Sequence, residues 1–179
     1  MGYNVEQVMN MEENIKREIV ESVRALRLPS YEEIPEVGLF LDQTAKYISG
    51  FLRPLALPDL TGSMISNYVK KGLIANPVKK QYSREQIAYL FFVAVSKSVL
   101  SLEELQKLIA LQKRTYPAET AYAYFCRELE NVVFYVFGIK DRLDTVGKEN
   151  SDEKMLLRNT IIAVAHKAHL SKCLERMEK

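Results

Sequence analysis

The chain has 179 residues, of which 47% are hydrophobic and 27% charged, the balance of a globular protein able to bury a sizeable core. Its longest apolar run, Ile87 to Val95, is nine residues, far short of the ~20 that a membrane span needs. The N-terminal stretch MGYNVEQVMNMEENIK is acidic and lacks a signal-peptide core, and two cysteines, Cys126 and Cys173, cannot make a disulfide framework, so a cytoplasmic protein with no membrane partner is expected.

The formal net charge of +2 hides an asymmetry. Residues 53–97 hold seven Lys or Arg against Asp59 and Glu85, whereas the other 134 residues hold 18 basic and 21 acidic side chains. A basic patch on a mildly acidic body is the footprint of a surface that meets phosphate. A solvated face with spare lysines gives the same pattern, so charge alone leaves both readings open.

Apolar residues recur at helical spacing almost throughout. Val8, Met11, Ile15, Ile19, Val23 and Leu26 make residues 4–27 one amphipathic helix, which the prolines of RLPSYEEIPE end. Val37, Phe40, Leu41, Tyr47, Ile48 and Phe51 predict a second helix over 36–51, and RPLALPD reads as a linker. Thr61 starts a short third helix that Gly72 ends, and 75–82 reads as an irregular or weakly extended connection. Further helices are predicted at 84–98, 101–114, 117–137 and 150–177. Their starts carry capping-box spacing at Ser83/Gln86, Ser101/Glu104 and Asn150/Glu153, with Pro117 in a first turn. The expected fold class is all-α, with room for one small hairpin.

The third helix carries the chemistry. With Thr61 as N-cap, Ile65, Tyr68 and Val69 fall on one face. Ser63, Ser66, Asn67, Lys70 and Lys71 fall largely on the other, which has hydroxyls, an amide and two ammoniums but no carboxylate. A helix that enters the major groove needs such groups: Asn bridges adenine N6 and N7, Ser reaches base edges, and Lys neutralises phosphate. Lys79 and Lys80 follow on a loop, and the helix start at Ser83 and Arg84 offers backbone N–H groups and a guanidinium to a phosphate.

The segment TGSMISNYVKKGLI, followed by QYSREQIAYLFFVAVSKSVLSLEELQKLI, resembles the winged helix-turn-helix of MerR-type regulators. The resemblance runs through Thr61, Ile65, Tyr68, Gly72-Leu73-Ile74, Tyr82-Ser83 and Ser101-Leu102-Glu103-Glu104. Ser66 and Asn67 stand where that family usually has Arg and Tyr, and the basic wing is shorter. More closely, LPSYEEIPEVGLFLDQTAKYI with this segment resembles an uncharacterised bacterial family, domain of unknown function eighteen-thirty-six, the YkrK-like group, over roughly residues 27–137. The resemblance implies a bacterial source and a MerR-like head, and no known ligand.

Two other clusters carry alternatives. His166, His169 and Cys173 lie on one stripe of the last helix, either as partial zinc ligation or, more often for such residues, as core or interface. Residues 116–137 contain Tyr116, Tyr122, Tyr124, Phe125, Phe134, Tyr135 and Phe137, which suit an effector pocket or, more plainly, core and dimer interface. No glycine-rich phosphate loop, nucleophile elbow or HExxH motif is present, so no catalytic residues, metal or cofactor are assigned and the chain does not read as an enzyme.

The reading divides the chain into an N-terminal helix (1–27), a MerR-like helix-turn-helix domain (28–100) and a helical dimerisation or effector region (101–179). It expects a homodimeric regulator of transcription that binds double-stranded DNA and takes a small-molecule effector of unknown identity. The alternative is a protein-interaction adaptor on the same scaffold.

Overall fold

The computed structural model describes residues 5–147 and 151–177, with side chains for 13–147 and 151–176. Seven α-helices run along the described residues: α1 (Val5–Arg24), α2 (Leu41–Leu52), α3 (Gly62–Lys70), α4 (Arg84–Ser96), α5 (Leu102–Thr115), α6 (Ala118–Val136) and α7 (Asp152–Met177). A 3₁₀ turn follows α2 at Arg53–Leu55. Two short strands, β1 (Leu39–Phe40) and β2 (Gln81–Tyr82), pair antiparallel, Leu39 opposite Tyr82 and Phe40 opposite Gln81. The chain is therefore mostly helical, and none of its described helices is long and apolar enough to cross a membrane.

The helix expected from residue 36 begins only at Leu41. Gly38 sits at φ +78°, and a Cβ there would stand 2.9 Å from the Tyr82 carbonyl oxygen, so the backbones of β1 and β2 approach too closely for any other residue. Residues 39–40 serve as a strand, and Val37 and Phe40, counted toward a helical face, are 82% and 49% exposed. Gln43 starts α2 by accepting the Phe40 N–H at 3.0 Å.

The other helix starts follow the caps. Thr61 accepts from the Met64 N–H, and Ser83/Gln86 and Ser101/Glu104 form reciprocal boxes. Pro117 stands one place earlier than expected, at the N-cap of α6. Asn150 lies outside the described residues; Ser151 accepts the Lys154 N–H at 3.4 Å.

Helix α4 is the spine. Ile87, Leu90, Phe91, Val93 and Val95 are wholly buried, with Ala88, Tyr89 and Ala94 close behind, the all-round apolarity of a helix enclosed by others. Helix α2 packs on one side of it and in turn carries α3, with Ile48 and Ile65 fully buried, and α6 and α7 pack on another. Phe91 joins the two sides, its ring meeting Phe51 at 6.0 Å and Tyr122 at 5.9 Å. One polar tie crosses the core. The fully buried Glu128 of α6 pairs with Arg158 of α7, whose Nη2 also donates to the Asp144 carbonyl at 2.9 Å.

Candidate nucleic-acid interface

The amphipathicity of α3 orients it. Ile65 and Tyr68 are buried, whereas Ser63, Ser66, Asn67, Lys70 and Lys71 are all exposed. Ser63 differs from the rest: its hydroxyl lies 2.9 Å from that of Thr61 and belongs to the cap. Among the described residues, the side chains of Ser66, Asn67, Lys70 and Lys71 make no hydrogen bond or ion pair. The outer face of α3 thus presents its polar groups to solvent.

Gly72, at φ +72°, ends the helix in a left-handed turn. The Leu73 N–H donates to the Tyr68 carbonyl at 2.9 Å and that of Gly72 to Val69 at 2.9 Å. The chain then runs directly into a hairpin. Val78 and Gln81 exchange backbone hydrogen bonds of 3.1 and 2.9 Å around Lys79 and Lys80. Both central residues have positive φ, +50° and +66°, the backbone of a two-residue type I′ turn. Asn-Gly is the favoured pair for that turn, and an L-residue with a Cβ is disfavoured there by roughly 1–2 kcal/mol. Two lysines therefore occupy, at a cost in stability, the exposed tip of a hairpin adjoining α3. The irregular connection expected over 75–82 is this hairpin.

Two glutamines hold this unit to the rest of the molecule. Gln86 of α4 caps its own helix by accepting the Ser83 N–H at 2.8 Å, and its Nε2 donates to the carbonyls of Ala75 (2.8 Å) and Asn76 (3.3 Å). Gln106 of α5 donates from Nε2 to the Lys71 carbonyl at 2.6 Å. The capping role of Gln86 is visible as sequence spacing. The partner of Gln106 lies 35 positions away, and no local pattern signals it.

Arg84 departs from the expected phosphate role. Its Nε donates to the Ile34 carbonyl at 2.8 Å, its Nη2 to the Glu32 carbonyl at 3.3 Å, and its guanidinium carbon stands 5.7 Å from the Tyr31 ring centre. The guanidinium fastens the 31–34 turn to α4. Of the N–H groups at Ser83 and Arg84 expected to face a phosphate, that of Ser83 is taken by the capping box, as is the Gln86 N–H. Of the eight residues predicted from sequence, Ser66, Asn67, Lys70, Lys71, Lys79 and Lys80 remain exposed with uncommitted side chains.

His169 meets the Phe137 ring edge-on at 5.0 Å, and burial, with His166 second, lowers its pKa. Cys173 Sγ lies 3.8 Å from His169 Nδ1, and His166 is exposed. Among the described residues no group of three or more His, Cys, Asp or Glu is arranged to hold a metal ion. Tyr122, Phe125 and Phe137 are core residues, and Tyr135 is exposed.

Helices α2 and α3, the basic hairpin and α4 follow one another along the chain as one unit. Residues 29–125, which span this unit together with α5 and the start of α6, match the family described as a domain of unknown function, DUF1836, and the chain belongs to that family. No curated protein and no solved structure matches it.

Proposed function

We propose that the protein is a cytoplasmic regulator of transcription that binds double-stranded DNA through a MerR-like winged helix-turn-helix, as a homodimer. In this reading α2 and α3 are the helix-turn-helix and the 75–82 hairpin is the wing. Helix α3 enters the major groove with Ser66 and Asn67 against base edges. Lys70 and Lys71 at its end, and Lys79 and Lys80 at the hairpin tip, neutralise flanking phosphates. The carrying observation is the solvent face of α3, without a carboxylate and flanked by two lysines held in left-handed backbone. Dimerisation is supported by exposed apolar residues on α6 and α7: Tyr135, Leu156, Leu170 and Leu174.

A second reading, a protein-interaction adaptor, has its own observation. Phe40 and Val78 flank Gln81 as its paired neighbours, so the three share one face of the small sheet. Phe40 is 49% and Val78 75% exposed, an apolar spot beside the basic tip. Retention of bulk genomic DNA that falls steeply with salt separates the two readings. The DNA reading expects it and the adaptor reading does not. Sequencing the DNA recovered with the protein from cells then gives the operator.

A further inference from the structure

Between α4, α5 and α6, with the start of α7 along one side, lies a partly open pocket of about 230 Å³. Interiors of this density have few voids larger than one water, so the space is a feature of the packing. Small side chains make it: Ala88 of α4 and Ala118 and Ala121 of α6 face it, and Tyr89, Phe92 and Phe125 wall it. Phe92 and Phe125 meet edge to face, centroids 5.8 Å apart at 85°, which leaves ring surface free to stack on a guest.

Gln112 and Glu153 on its wall are engaged, whereas the buried Tyr122 hydroxyl has no hydrogen-bond partner among the described residues and can offer a guest one. Gln112 Nε2 donates to the Tyr116 carbonyl at 3.0 Å, and Glu153 accepts from the Thr115 hydroxyl at 3.1 Å. Lys154 stands over the Tyr124 ring at 5.5 Å and Lys113 over Tyr89 at 4.6 Å. A water held there would need two to four polar partners, and a charged guest would have to take the exposed Arg127 from solvent or Glu153 and Lys154 from their present partners. An uncharged apolar guest needs neither. The volume exceeds the ~150 Å³ of an apolar cavity that admits benzene and falls below the ~300 Å³ at which drug-sized pockets begin.

From these dimensions and this chemistry we infer that the pocket is a binding site for a small uncharged aromatic molecule of one or two rings. The site is independent of the DNA-binding reading.

The test uses indole and toluene as probes on the full chain, with benzoate and benzylamine as charged comparators. The uncharged probes, at ~1 mM, are expected to raise Tm by about 2 °C or more and to shift the methyl resonances of Leu108, Ile109 and Leu157. The charged comparators are expected to do neither. Ala121→Phe fills the space and should abolish the shifts; Ala88→Leu, a smaller intrusion, should weaken them if Ala121→Phe does not fold. Absence of methyl shifts with both uncharged probes overturns the inference. So do shifts that map away from these three residues, or undiminished binding in a folded Ala121→Phe.

Discussion

Gln106 of α5 donates its side-chain N–H to the backbone carbonyl of Lys71 at 2.6 Å. The bond falls on the C-cap of α3, where carbonyls lack helical partners. It joins the proposed reading helix to a helix outside the α2–hairpin–α4 unit. Gln106→Ala leaves an exposed carbonyl that water can serve, so the stability cost is expected near the ordinary hydrogen-bond value, about 0.5–1.5 kcal/mol. Hydrogen exchange should rise locally at Gly72, Leu73 and Ile74. Unchanged protection there would show that the bond does not hold the end of α3.

Arg84 tests the distinction between a strut and a phosphate contact. Its guanidinium serves Ile34, Glu32 and Tyr31, so Arg84→Ala should lower stability by about 1.5–3 kcal/mol, the range for hydrogen bonds to a charged group. Lysine cannot reproduce the fork, and Arg84→Lys should recover little. The salt slope of DNA binding should stay at the wild-type value. A stable Arg84→Ala variant whose slope drops by about one unit would return the residue to the phosphate backbone.

The ion pair of Glu128 and Arg158 predicts a larger effect. Glu128 is 0% exposed and Arg158 also holds the Asp144 carbonyl. Removing the acid leaves a guanidinium that is only 28% exposed without its carboxylate, and Glu128→Ala should cost up to about 3–5 kcal/mol by urea denaturation. The double replacement Glu128→Leu with Arg158→Met should recover most of that loss, because it leaves no buried charge. A single variant within ~1 kcal/mol of wild type would mean that water reaches the pair.

Much of the fold was legible because its signals are local. Ser83/Gln86 and Ser101/Glu104 announce their helices within four residues, and Ile65 and Tyr68 fall on the buried face that the period assigns them. Residues 36–40 mislead because Val37 and Phe40 fit a helical period, while Leu39 and Phe40 pair with Tyr82 and Gln81 and Gly38 lies against the Tyr82 carbonyl. Arg84 misled in the same way: a basic residue at a helix start looks like an anion contact, and its carbonyl partners lie 50 and 52 positions away. The lysine pair at the hairpin tip was legible as charge, and its left-handed backbone was not.

Alkaline pH should unfold the protein earlier than its helices alone suggest. Burial pushes the Cys126 thiol up from 9.0 to about 12 and raises Tyr68, Tyr82, Tyr89 and Tyr122 above the ordinary 10.0. Each folded group keeps a proton that the unfolded chain releases. The stabilisation is full below pH 9 and is lost as pH climbs, first through the thiol and then, beyond pH 10, through the phenols. Thermal melts should be flat in this contribution up to about pH 9 and fall above it, with Cys126→Ala moving the onset toward 10. A Tm independent of pH between 9 and 11 would contradict the burial of these groups.

The central claim rests on the hairpin tip, where stability and binding pull apart. Replacing Lys79 with Asn and Lys80 with Gly installs the pair that a type I′ turn favours, so the double variant should be at least as stable as wild type. If the lysines contact phosphate, the same variant must bind DNA more weakly. The decisive measurement is a fluorescence-anisotropy titration of wild type and of the Lys79→Asn/Lys80→Gly variant on duplex DNA between ~50 and ~200 mM salt. The account predicts wild-type binding that weakens steeply with salt, and a variant whose log–log slope is lower by about two units. Wild-type protein that shows no binding at ~50 mM salt, where phosphate contacts are strong, would contradict it.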